Sequence, residues 1–208
     1  LRRGPHVDAP ANRRPSLSRP SSAGHGQRPV AHQRCDHAGC RRGDPYVSGK
    51  ILDRKGDPIR NAVVEIWQLD SRGVYIHSQT ANSERRDTHF QGFGRFITGS
   101  SGEYYFRTIK PPAYGGRARH IHFAVNRGRH RLLTTQLYVK GDPKLRRDGP
   151  VNAVKDPKLR SMLIKEFKPL NGSTTGELTV GFDLVVGLTP EDPKEDPLRF
   201  QNPKYKKG

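Results

Sequence analysis

Two histidines, His120 and His122, flank a single isoleucine in the run Arg119-His120-Ile121-His122-Phe123. On a strand, side chains at i and i+2 point the same way, so this spacing sets two imidazoles side by side. Such a pair can ligate a metal, and it can equally be two half-buried polar residues of an ordinary strand. Two tyrosines favour the metal. Tyr114 follows the Lys110-Pro111-Pro112 turn, and Tyr75 ends the turn Asp70-Ser71-Arg72-Gly73-Val74-Tyr75. Phenolate oxygen with imidazole nitrogen suits a hard, oxidised metal such as Fe(III), whereas zinc sites usually recruit Cys, His or carboxylates.

The elements that must position these residues read as strands. Val47 to Leu52 alternates and ends in the turn cluster Asp53 to Pro58. Ala62 to Leu69 leads into the Tyr75 turn. Residues 76–95 show no clear period and read as a polar loop. Glu103 to Ile109, Arg119 to Asn126, Leu133 to Val139 and Glu177 to Val186 read as further strands. Along Arg119 to Asn126, Ile121, Phe123 and Val125 form an apolar face opposite His120, His122 and Ala124. Asp156-Pro157 is a helix start, and Leu159, Met162, Leu163 and Phe167 keep helical spacing, which predicts one short helix. Several short strands with regular turns predict an all-β fold, an antiparallel β-sandwich with long loops.

At 208 residues, one domain with a substantial core is expected. Only 32% of residues are hydrophobic, against 22 Gly and 17 Pro, which favours a loop-rich β protein over a helical bundle. No apolar run is long enough to span a membrane, and no membrane partner is expected. The net charge of +18 would attract phosphate, but the basic residues are scattered and form no nucleic-acid module, so no nucleic-acid partner is expected. The sequence leaves the compartment open, cytoplasmic or, with an exported leader preceding Leu1, periplasmic or extracellular; a homo-oligomer is compatible with it.

Residues 1–45 differ from the rest. The stretch to Asp44 holds nine Arg but no Lys, Glu, Phe, Tyr, Trp or Ile, and carries both cysteines, Cys35 and Cys40. A segment so poor in apolar residues is expected to be disordered. Cys35, His37 and Cys40 lack an obvious fourth ligand for zinc. Codons can also be chosen for Asn12 to Arg42 so that a one-nucleotide shift opens on the string TEGPxYP, which makes an out-of-frame origin a second expectation. Residues 191–208 read as a basic, Pro-rich tail.

An ordered set of motifs covers residues 46–190: Val47-Ser48-Gly49 to Gly56, Ala62 to Gln68, Gly73-Val74-Tyr75, Phe90 to Arg95, Gly102 to Pro111, Tyr114 with Arg117 and His120 to Phe123, and Thr135 to Tyr138. Together they resemble the intradiol ring-cleaving dioxygenases, relatives of protocatechuate 3,4-dioxygenase and catechol 1,2-dioxygenase. The resemblance implies a transthyretin-like β-sandwich and an Fe(III) ion held by Tyr75 and His120 equatorially and by Tyr114 and His122 axially, with a hydroxide. It implies a catechol-type diol and O2 as substrates, and a muconate-type diacid as product. Tyr114 would take a substrate proton. Arg117 would stabilise charge on the reacting ring, and Gln136 would lie near the site. Without the resemblance, Arg117 reads as a solvated cation and Gln136 as a polar strand residue beside Thr134 and Tyr138. Trp67 and Phe106 read as core, and His77, His89 and His130 as surface or loop residues. The chain departs from the catechol and protocatechuate enzymes in its short Tyr114-to-His120 link, where Gly115-Gly116 supplies no aromatic side chain. A noncatalytic transthyretin-like binding module shares the fold and is the alternative, but it has no need of all four ligand positions.

Overall fold

Alternation shapes the strand that carries the histidines. In β5 (His120–Arg127), Ile121, Phe123 and Val125 are fully buried in the core, so His120 and His122 must face the other way. A two-residue connection through Gly128, whose φ of +59° glycine tolerates, turns the chain into β6 (His130–Val139). The antiparallel register sets His120 opposite Tyr138 and His122 opposite Gln136. On the other side of β5 runs β2 (Val63–Trp67), with Trp67 opposite His122. β3 (Phe93–Ile97) pairs with β2, and β7 (Ile164–Lys165) closes the five-stranded order β3-β2-β5-β6-β7.

The computed structural model describes residues 44–76 and 83–192. Cys35, His37, Cys40, His77, the proposed frame change and nearly all of the two terminal segments lie outside them. Within them the protein is mostly β-sheet. The second sheet is built on β1 (Tyr46–Leu52). β4 (Glu103–Arg107) pairs with it antiparallel, and β9 (Leu178–Gly181) and β10 (Leu184–Val185) pair with it in parallel. β8 (Lys168–Pro169) lies outside β9.

Both sheets feed one apolar core. The Phe123 ring lies 6.0 Å from that of Tyr104 on β4 and 5.0 Å from that of Phe182 in the β9–β10 link. Burying a side chain of this size contributes roughly 1.5–3 kcal/mol. Gly49 lets the Phe182 backbone approach β1, since a Cβ there would sit 2.2 Å from the Phe182 oxygen.

Four expectations need correction. The sheets are mixed rather than antiparallel, because β9, β10 and β7 return to their partners after long crossovers and run parallel to them. Two short α-helices occur, α1 (Gly149–Ala153) and α2 (Pro157–Leu163). Asp156 caps α2 as expected, accepting from the backbone N–H of Lys158 and Leu159, but the helix stops at Leu163 rather than running to Phe167. It stops because Ile164 is extended and paired with Tyr138. The last predicted strand is split at Phe182-Asp183, and the predicted loop 76–95 already contains the start of β3. Among the described residues, no helix is long and apolar enough to cross a membrane.

Candidate metal centre

Tyr75 reaches the histidines from a stiffened turn. The Asp70 carboxylate accepts from the backbone N–H of Arg72 and Val74, at 2.9 Å each, and from that of Asp87 at 2.6 Å. Gly73 supplies the positive φ of +79° that this loop needs, and buried Val74 anchors it. The Tyr75 hydroxyl then stands 2.8 Å from His122 Nε2 and 3.5 Å from His120 Nε2, and the two Nε2 atoms are 3.1 Å apart. Three donor atoms from sequence positions 45 residues apart thus converge on one point.

The second nitrogen of His120 fixes its tautomer. His120 Nδ1 lies 2.6 Å from the Ala118 carbonyl, which can only accept, so Nδ1 carries the proton and Nε2 presents its lone pair to the cluster. Burial lowers the His120 pKa to about 4, and the Arg117 charge adds to this against the opposing pull of Ala118 and Asp148. The ring is therefore neutral at neutral pH, the form a metal requires. His122 is held differently, by stacking on Trp67 with ring centroids 4.9 Å apart and planes 7° from parallel. Trp67 is buried as expected, but it belongs to the wall of the site.

Tyr114 is set by the shortness of its link. Arg117 N–H donates to the Tyr114 carbonyl at 2.9 Å, closing a two-residue turn with Gly115 at a φ of +44°. Tyr114 is 46% exposed and meets the cluster by its ring, which lies edge-on to Tyr75 at 6.1 Å. The structure therefore brings Tyr75, His120 and His122 into direct contact and places Tyr114 at their rim.

Arg117 and Gln136 meet beside this cluster. Arg117 Nη2 donates to Gln136 Oε1 at 2.7 Å, and the buried Tyr138 hydroxyl donates to the same oxygen at 2.9 Å. The Tyr138 ring lies 5.8 Å from that of His120. Burial pushes the Tyr138 phenol up, so it stays protonated and donates. Arg117 is not a solvated cation: burial opposes its charge, but the bond and charge of Asp148 outweigh this and raise its pKa. A cavity of about 410 Å³ adjoins Gln136 and Tyr138, walled by Pro150, Val154, Leu163 and Pro190. His89 and His130 are exposed, as expected.

Among the described residues, no three His, Cys or carboxylate side chains cluster. The converging donors are two imidazoles and a phenol.

Residues 21–187 match the family model described as Dioxygenase. Over 180 residues the chain is 33% identical to the protocatechuate 3,4-dioxygenase beta chain of Burkholderia cepacia, covering 80% of this chain and 76% of that protein. The chain belongs to the intradiol ring-cleavage dioxygenases. It is also 33% identical, over 133 residues, to catechol 1,2-dioxygenase of Acinetobacter baylyi, of which it covers only 42%. Among solved structures it is similar to the dioxygenase domain of a dioxygenase and carbohydrate-binding protein fusion from Streptomyces sp. SirexAA-E. That similarity has a TM-score of 0.56 and 28% identity, over 76% of this chain and 90% of that domain. The relatives support ring cleavage by an oxidoreductase and do not favour a noncatalytic binding module. The family implies iron.

Residues that sequence reasoning missed are Asp148, which holds Arg117, Asp142, which holds Arg119, and the wall residue Trp67. Trp67 had a signal: in β2 it shares parity with Glu65, opposite the core residues Val64 and Ile66.

Proposed function

We propose that this intradiol dioxygenase cleaves a catechol-type ring between its two hydroxylated carbons, placing both atoms of O2 in a muconate-type diacid. The observation that supports this most is the convergence of Tyr75, His120 and His122 within 3.5 Å, with Tyr114 at the rim. Two phenolic and two imidazole donors fit a ferric ion, since the phenolates offset its charge and the neutral imidazoles add none. A ferric ion bound there would supply Lewis acidity toward the two diol oxygens. The protein's own groups do the rest. Tyr114, half-exposed with its ring edge-on to Tyr75, accepts a proton from one diol hydroxyl on its phenolate oxygen. Arg117 stabilises negative charge on the ring, and Gln136 and Tyr138 hold its Nη2 in place. Trp67 fixes the His122 plane.

The same reading takes residues 46–190 as the ring-cleaving unit and the two sheets as the faces of a transthyretin-like β-sandwich. The Gly115-Gly116 turn leaves the rim beside Tyr114 without an aromatic wall, so the ring substituent is set by other surfaces.

Iron loading followed by visible spectroscopy tests the proposal. Tyrosinate-to-Fe(III) charge transfer is expected to colour the pure protein reddish-brown, and a panel of catechols is expected to yield ring-opened diacid. A colourless protein that stays inactive after iron loading refutes it.

A further inference from the structure

Asp148 is a buried carboxylate to which neither the ligand set nor the proposed proton transfers give a task. Its side chain has no solvent exposure. Oδ2 accepts from Arg117 Nε at 2.9 Å and, at 2.8 Å, from the backbone N–H of Ala118, while Oδ1 caps α1 through the Val151 N–H at 3.4 Å. One oxygen therefore grips both the guanidinium and the backbone N–H of Ala118, the residue whose carbonyl orients His120. A buried carboxylate is retained only where a charge and hydrogen bonds compensate it, and here Arg117 is the charge.

The far end of the guanidinium is fixed too. Nη2 donates to Gln136 Oε1, and the Gln136 amide cannot flip without penalty, because its Nε2 donates to the Asp192 carboxylate, which can only accept. The planar fork of Arg117 is thus held at Nε by one acid and at Nη2 by an amide that a second acid orients. A lysine could not satisfy both contacts, having one point charge in place of a fork.

We propose that Asp148 is a positioning residue that sets the Arg117 guanidinium for the ring-cleaving step. This rests on the reading of Arg117 as the group that stabilises ring charge. Holding a group before reaction removes the need to order it during reaction, and displacement by an ångström can cost about 100-fold in rate. A residue that only capped α1 would affect stability and leave the rate of folded enzyme alone.

The test is a double-mutant cycle on iron-loaded enzyme with catechol as probe. Asp148→Asn keeps the size and, with its one carbonyl oxygen in the Oδ2 position, the acceptor for Ala118 N–H, but loses the charge and the 3.4 Å Oδ1 contact to Val151 N–H. The expected result is a fall in kcat of about 10- to 100-fold with KM little changed, and iron content and visible spectrum as in wild type. In an Arg117→Ala background, Asp148→Asn is expected to slow the enzyme no further. Full kcat in folded D148N, or an additional loss in the double variant, overturns the positioning role. An R117A enzyme with full activity instead removes the reading of Arg117 on which it rests, so the two failures differ. A crystal structure of the wild-type holoenzyme supplies a check that does not depend on the variant folding: Arg117 Nε turned away from Asp148 overturns the proposal, and the paired geometry supports it.

Discussion

Replacing Trp67 by leucine separates space-filling from alignment. Trp67 is only 6% exposed, and its ring stacks on His122 at 4.9 Å with planes 7° apart. Leucine keeps the site apolar but removes the stack. Stacked aromatic pairs contribute about 0.5–1.5 kcal/mol beyond area burial. If that energy serves to hold His122 in its metal-facing rotamer, iron affinity should fall about two- to tenfold. The smaller side chain should also lower stability by about 2 kcal/mol, less than full truncation of a buried aromatic to alanine. The assay is titration of iron against a competing chelator, followed by tyrosinate absorbance, with thermal melts of the same samples. A lowered Tm with unchanged iron affinity refutes the alignment argument and leaves Trp67 as packing alone. A loss beyond about 100-fold would also refute it, because stacking cannot supply that much.

Three further perturbations follow from the same geometry. Tyr114→Phe removes the rim hydroxyl, and is expected to weaken the charge-transfer band and slow diol deprotonation; pre-steady-state absorbance at unchanged rate would show that Tyr114 takes no proton. Gly49→Ala forces a Cβ to within 2.2 Å of the Phe182 oxygen and should cost about 1–3 kcal/mol, read as a lower Tm by circular dichroism. Burial pushes the Asp142 carboxyl up, but the backbone N–H groups of Arg119 and Lys144 and the Arg119 charge outweigh it and hold its pKa below the usual range. A depressed carboxylate stabilises above its unfolded pKa of about 4 and loses this as pH falls through the folded value, so the Tm difference between wild type and Asp142→Asn should be widest near neutrality and close in acid.

The period of two made β5 legible: once Ile121, Phe123 and Val125 faced inward, His120 and His122 had no other direction to take. The Asp70 to Tyr75 turn was legible from its own residues, since Asp and Gly supply the acceptors and the positive φ locally. What could not be read depends on distant partners. β7, β8 and β10 are two residues long, too short for any alternation to show. Helix α2 obeys its spacing until Ile164 is claimed by Tyr138, 26 residues away in sequence. Arg117 resembled a surface cation because Asp148, its partner, lies 31 residues on and follows two arginines in Leu145-Arg146-Arg147, a setting that suggests solvent.

The placement of β1 between β4 and the pair β9 and β10 governs the order in which the molecule can form. The hairpin of β5 and β6 closes across two residues, so the two imidazoles can be set side by side early and locally. β1 must wait for Thr179 to pair with Tyr46, a separation of 133 residues. During synthesis the metal-facing hairpin can therefore exist while β1 still shows an open edge to other chains. Truncation before Leu178 would leave that edge permanently exposed, which predicts aggregation from a fragment that nonetheless retains every one of the proposed iron donors.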